Sequence, residues 1–146
     1  MSVNLLGQYP ITLEIPVLWG DIDSMQHMNN LVYLRYFESA RSAYFDEMGA
    51  FTYKDKTGLG PILYSTYCRY RIPLTYPDKV TVGARVDANE TGEDRFTMRY
   101  AVLSHRHGKI AAEGDGVIVY IDYTTGKKAP IPDPMRQALA EIGRRR

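Results

Sequence analysis

An α+β fold, one long helix laid against an antiparallel sheet of about five strands, is predicted by three features of the 146-residue sequence. One segment has the length and apolar period of a long amphipathic helix. A series of strand-like stretches follows it. Short turn-forming segments join those stretches, which makes consecutive strands antiparallel neighbours.

Residues 1–10 read as a loose lead-in ending at Pro10. Over 11–19, Leu13, Ile15, Val17 and Trp19 alternate with Thr12, Glu14, Pro16 and Leu18, the period of a strand. Pro16 cannot donate to a ladder, so this strand belongs at an edge or a bulge. Residues 20–28 form a loop, and a helix is expected over 29–48. There Tyr33, Phe37, Ala40, Tyr44 and Met48 recur at spacings of four and three, so one face must be buried. Gly49 stands where a glycine stop is expected. Residues 50–60, with Lys54, Asp55, Lys56 and two glycines, read as a mobile surface connection.

Four strands are expected next, at 61–72, 78–88, 94–104 and 109–122, the last three each preceded by a turn: LTYP, NETGE and HRHG. In 78–88, Val80, Val82 and Ala84 share one face and Thr81, Gly83 and Arg85 the other. Pro130, Pro132 and Pro134 stop the last strand, and a short helix over 134–142 precedes Arg144, Arg145 and Arg146. With no repeat, low-complexity tract or linker, residues 1–146 form one domain. One sheet and one helix leave an edge and a face uncovered. A homodimer that extends the sheet, or a homotetramer, would cover them.

Composition excludes several functions. Lys+Arg of 18 against Asp+Glu of 17 gives a formal charge of +1, so no nucleic-acid partner is expected. The single cysteine, Cys68, rules out an intrachain disulfide and a cysteine-based metal site, and suits a reducing compartment. The N-terminal stretch has no basic segment followed by a long apolar run, so it does not read as a signal peptide. No apolar stretch approaches the roughly 20 residues that span a bilayer. A cytoplasmic protein without a membrane partner is expected.

The chemistry-bearing residues gather just before the long helix, where Asp21, Asp23, His27, Asn29 and Asn30 fall within ten residues. A helix N-terminus offers unpaired N–H groups and a positive dipole, and a carboxylate beside it can act on whatever those groups hold. An ionised carboxylate serves equally as nucleophile or general base. Asp23 and the asparagines would also be ordinary loop and capping residues.

DIDSMQHMNN over 21–30, followed by Tyr33, Tyr36, Glu38, Ala40 and Arg41, resembles the signature of hotdog-fold acyl-CoA thioesterases of the 4-hydroxybenzoyl-CoA thioesterase type. In that family the loop reads D-x-D-x-x-G-H-V-N-N and the helix Y-x-x-Y-x-E-x-A-R. A second match, Tyr70 to Asp78 (YRIPLTYPD), resembles the family's Y-x-x-P-x-x-x-x-D turn between two central strands. Two separate motifs in the right order are far more specific than one, and with the element order the resemblance covers 11–123. Gln26 departs from the pattern where the family has glycine. Either the loop avoids positive φ here or its backbone runs differently.

The resemblance implies a hotdog fold and hydrolysis of an acyl-CoA or acyl-carrier-protein thioester, with no metal or redox cofactor. Asp23 would be the catalytic carboxylate, and a backbone N–H near Asn30 would polarise the thioester carbonyl. His27 would orient substrate or water, or be structural. Asp21 would tune Asp23 or order the loop. Glu38 is the second candidate carboxylate, since some branches of the superfamily place theirs on the helix; otherwise it pairs with Arg41 at i,i+3. Tyr33, Tyr36 and Tyr64 would line the acyl tunnel. Arg95 would meet the phosphates of coenzyme A, with Arg69, Arg71, Lys127 and Lys128 as other candidates, each of them otherwise a solvated charge. His105 and His107 would need a third ligand to hold a metal and read as surface residues. Cys68 reads as a packed small side chain, and Glu113 and Asp115 have no assigned role. Two alternatives remain on the sequence alone: a hotdog 3-hydroxyacyl-thioester dehydratase or hydratase using His27, and a non-catalytic acyl-thioester binder.

Overall fold

The computed structural model describes residues 4–145, so the first three residues of the lead-in, and Arg146, lie outside the described residues. In chain order the elements are β1 (Ile11–Pro16), α1 (Asn30–Met48), α2 (Ala50–Thr57), β2 (Leu59–Tyr70), β3 (Lys79–Thr91), β4 (Arg95–Ser104), β5 (Lys109–Asp122) and α3 (Asp133–Gly143). The five strands form one antiparallel sheet in the order β1-β3-β4-β5-β2. One face of this sheet packs around α1, which is the hotdog arrangement.

The buried stripe of α1 is the expected one: Tyr33, Phe37, Ala40, Tyr44 and Met48 are all in the core, joined by Tyr36 and Phe45. They meet Val80, Val82 and Ala84 of β3 and Met98, Tyr100 and Val102 of β4. Phe37 stacks on Tyr100 with ring centroids 4.7 Å apart and planes 13° apart. Burial of a side chain of that size contributes roughly 2 kcal/mol before any stacking term.

Several expectations are corrected. The lead-in is not loose where it is described: Leu6 is buried, and Tyr9 lies over Gly83, where a Cβ would come within 2.8 Å of its ring. The first strand ends at Pro16, and Trp19–Asp21 is a single 3-10 turn. Gly49 ends α1 at φ +75° as expected, but the chain re-enters a helix at once. Residues 50–57 are α2 and not a mobile connection, because Ala50 is buried, Tyr53 packs on the core and the Lys54 ammonium lies 5.0 Å from the Tyr123 ring centroid.

The largest correction concerns strand order. β2 and β3 are not neighbours: β2 is an edge strand paired only with β5, while β3 lies between β1 and β4. The motif over 70–78 is therefore a crossover and not a turn between two central strands. It is too long for a tight hairpin and carries two prolines. It instead passes under the start of α1. Met28 N–H donates to Leu74 O at 2.8 Å, and Leu74 N–H donates to the Tyr33 hydroxyl at 3.1 Å. The Tyr70 hydroxyl reaches Asn30 O at 3.2 Å. At its far end, the Asp78 carboxylate accepts from the buried Ser104 hydroxyl at 2.5 Å and from Arg106 N–H at 2.9 Å, locking the β4–β5 turn.

The core is rich in tyrosine hydroxyls held out of water. Burial, with the Asp21 carboxylate second, pushes the Tyr36 hydroxyl up to about 12, and burial raises Tyr33, Tyr100 and Tyr120 as well. A tyrosine whose folded pKa lies above its unfolded value of about 10 lends stability that is complete below pH 10 and is lost as pH rises through the folded pKa. The melting temperature should therefore fall steeply between pH 10 and 12. Spectrophotometric titration of tyrosinate should show a late set of groups ionising with unfolding.

Among the described residues, no helix is long and apolar enough to cross a membrane.

Candidate active site

The loop before α1 is closed by an isolated bridge between Ile22 and Met28 and by Asp23 N–H donating to His27 O at 2.8 Å. Inside it, Asp23 Oδ1 accepts from Met25 N–H at 2.8 Å and from His27 N–H at 3.3 Å. Asp23 is exposed, and its Oδ2 has no hydrogen-bond partner among the described residues. One oxygen is thus pinned by the loop and the other is unengaged.

Gln26 makes this tight loop possible by adopting φ +66°, the conformation that glycine supplies at lower cost. The loop does not avoid positive φ; it accepts the strain of a Cβ in the left-handed region. Replacing Gln26 with Gly should stabilise the protein by about 0.5 kcal/mol, the strain relieved less the entropy gained by the unfolded chain. Urea unfolding midpoints would check this.

Asn29 caps α1, its Oδ1 accepting from Leu31 N–H at 3.0 Å, and its own N–H donates to Asp21 O at 2.9 Å. The Asn30 N–H, at the first position of the helix, has no acceptor among the described residues. It is a free donor at the positive end of a 19-residue helix. A cleft of about 290 Å³ has Asp21, Asp23, Asn29, Leu31 and Arg35 on its walls. A second, of about 270 Å³, is walled by Met28, Asn30, Tyr33, Tyr70 and Pro73. The helix start is the wall they share, with Asp23 on one side and Asn30 on the other.

The remaining candidates fall around this centre. The Asp21 carboxylate meets the Arg35 guanidinium at 2.7 Å, and this pair ties loop to helix. His27 is exposed beside Asp23, its backbone held by that residue. Tyr33 borders the second cleft but is only 2 % exposed, and its hydroxyl is taken by the crossover. Glu38 is exposed two turns along α1 and lines neither cleft. Its expected pairing with Arg41 does not form. Arg41 Nη1 turns inward to the buried Tyr100 hydroxyl at 3.1 Å instead, because that hydroxyl otherwise lacks a partner.

Tyr64 and Arg95, distant in sequence, come together. Tyr64 is 67 % exposed at the β2 irregularity between Leu63 and Ser65, and the Arg95 guanidinium lies 5.5 Å from its ring centroid. Arg95 is also held by Asp94 at 2.9 Å. Glu113 and Asp115, unassigned on the sequence, take up Arg71 at 2.9 Å and Arg99 at 3.8 Å across the strands. His105 shares a 2.7 Å hydrogen bond with Thr81. Burial pushes the Cys68 thiol up, away from reactivity, with a Tyr70 hydrogen bond acting the other way. No three His, Cys, Asp or Glu side chains among the described residues gather closely enough to hold a metal ion. Tyr70 lines the second cleft and is not among the candidates named above, although it heads the 70–78 motif.

Comparison with known proteins agrees with this architecture. Residues 17–139 match the Thioesterase-like superfamily. An Aquifex aeolicus (strain VF5) protein carrying the name "Putative esterase" is 34% identical over 123 residues, 83% of this chain and 89% of that protein. A thioesterase from Thermus thermophilus, solved in complex with coenzyme A and Zn, superposes with a TM-score of 0.82 at 27% identity, covering 96% of this chain and 98% of that one. A 1,4-dihydroxy-2-naphthoyl-CoA thioesterase from Synechocystis shares the fold at a TM-score of 0.77 and 18% identity, over 90% of this chain and 96% of the other. With the match running through the loop, the long helix and strands β2 to β5, this chain belongs to the Thioesterase-like superfamily and is a thioester hydrolase.

Proposed function

We propose that the protein hydrolyses acyl-CoA thioesters, with Asp23 as the catalytic carboxylate. The observation that carries this is the pinned Asp23 carboxylate, one oxygen free, beside an α1 N-terminus whose Asn30 N–H is unclaimed. A thioester bound across the helix start would place its carbonyl oxygen on that N–H, where the negative charge of the tetrahedral intermediate is stabilised. Asp23 Oδ2 then attacks the carbonyl carbon, or removes a proton from a water that does. The C–S bond breaks, the coenzyme A thiolate leaves and takes up a proton, and water supplies the oxygen of the free acid. His27, exposed beside Asp23, orients the water or the thioester.

Tyr70 and Tyr33 wall the acyl side. Arg95, its Nε and Nη2 held by Asp94 and its guanidinium over Tyr64, has Nη1 left to offer the phosphates of the coenzyme. These steps draw only on protein groups and water. The coenzyme A complex of the 27% identical Thermus protein supports a coenzyme A thioester as substrate.

The working form is a homodimer or homotetramer. The edge strand β2 exposes Ile62, Leu63, Tyr64, Tyr67 and Tyr70, an apolar row on an unpaired ladder that a second copy would cover. Thiol release from a panel of aromatic and straight-chain acyl-CoAs tests the activity. At least one member should be turned over; complete inactivity across the panel would refute the proposal.

A further inference from the structure

A groove of about 450 Å³ lies between α3 and the end of β3, with Val86, Ala88, Leu139 and Ala140 as its apolar lining and Arg136 and Arg144 upon it. It lies where β3 slips register against β4 between Val86 and Thr91, and three of its lining residues, Ala88, Ala140 and Gly143, are small. No acidic residue lines it. Elsewhere Arg35, Arg71, Arg85, Arg95, Arg99 and Arg145 each meet a carboxylate. Here Arg136 donates only to the Gly92 and Glu93 carbonyls, at 2.6 and 2.8 Å, which orient its charge without cancelling it. The Arg144 side chain has no partner among the described residues. The acids of the adjoining stretch of β3, Asp87 and Glu90, are engaged by Arg85 and Arg99.

An apolar floor with two uncancelled guanidiniums suits an amphipath with an anionic head, and the volume is within the range of small-molecule sites, about 300–1,000 Å³. We propose that this groove binds a medium-chain carboxylate, with its tail on Val86, Ala88, Leu139 and Ala140 and its head on Arg144, supported by Arg136. The site is separate from the catalytic loop. Arg145 anchors this end of α3 to Glu47, at the C-terminal end of α1, whereas Asp23 precedes its N-terminus. A helix of 19 residues is about 28 Å long. The ligand class is that of the acids a thioester hydrolase releases, but occupancy of the groove does not depend on the chemistry at Asp23.

Isothermal titration with decanoate tests this, using the wild type, Ala140→Trp to fill the groove, Arg144→Glu to reverse its charge, and Asp23→Asn as a change at the other end of α1. Ala140 and Arg144 are exposed, and melting curves will show that the variants are folded. Decanoate should bind the wild type and Asp23→Asn equally, and each groove variant at least about tenfold more weakly. 1-Decanol should also bind the wild type at least about tenfold more weakly than decanoate. The proposal is overturned if the wild type gives no binding, if folded Ala140→Trp and Arg144→Glu bind as the wild type does, or if decanol matches decanoate.

Discussion

Asp23→Asn should lower kcat for thiol release by about 10³-fold, within the 10²–10⁴ that a positioned acid–base group supplies, and should leave KM little changed. The substitution is nearly isosteric. The asparagine carbonyl can still accept from Met25 and His27 N–H, so the loop and its Ile22–Met28 bridge are retained. What is removed is the negative charge and the basic oxygen at Oδ2. Asp23→Ala differs in kind, because it also releases those two N–H groups and should loosen the turn that Gln26 holds at φ +66°. A loss of stability in Asp23→Ala but not in Asp23→Asn, with activity absent from both, would separate the carboxylate's chemical part from its structural one.

Gly114→Ala is the second large effect, on stability, at roughly 3 kcal/mol. A Cβ at Gly114 would lie 2.2 Å from Tyr67 O and 2.5 Å from the Phe37 ring. Neither can yield cheaply. Tyr67 O belongs to the β2–β5 ladder, where Cys68 is the register partner of Gly114, and Phe37 is stacked on Tyr100 at the centre of the core. Overpacking a rigid core commonly costs 1–3 kcal/mol, and a contact with backbone on one side and a stacked ring on the other belongs at or above the top of that range. The effect reaches function as well, since β2 bears Tyr70 of the second cleft and the tyrosines of the exposed edge. Chemical denaturation should show a lowered midpoint. A midpoint within error of the wild type would mean that the strands part at this position without cost.

Features set by local pattern were legible in the sequence. The spacing of Tyr33, Phe37, Ala40, Tyr44 and Met48 required a buried helical face, and the tract 109–122 matches β5 residue for residue. The crowding of Asp21, Asp23, His27, Asn29 and Asn30 ahead of that face located the candidate site. Features set by long-range pairing were not legible. Nothing local indicates that β2 should leave β3 and pair with β5, some fifty residues on; short separations suggested a hairpin, while the sheet is closed by a crossover. Arg41 lies three residues from Glu38 yet bonds Tyr100, 59 residues away, because a buried hydroxyl needs a partner more than an exposed carboxylate does. In α2, charge suggested mobility, although Ala50 and Tyr53 are sufficient to dock that short helix. The two motifs also meant more together than either did alone. The crossover motif acts structurally, its Leu74, Tyr70 and Asp78 fastening the helix start to the sheet.

The central claim is that the loop carboxylate at the head of α1 performs the hydrolysis. Its most direct test is thiol release measured side by side for the wild type, Asp23→Asn and Glu38→Gln on whichever acyl-CoA the wild type turns over fastest. Turnover lost in folded Asp23→Asn and retained in Glu38→Gln is the predicted result. Turnover retained in Asp23→Asn would contradict the claim, and its loss in Glu38→Gln alone would move the catalytic carboxylate onto the helix.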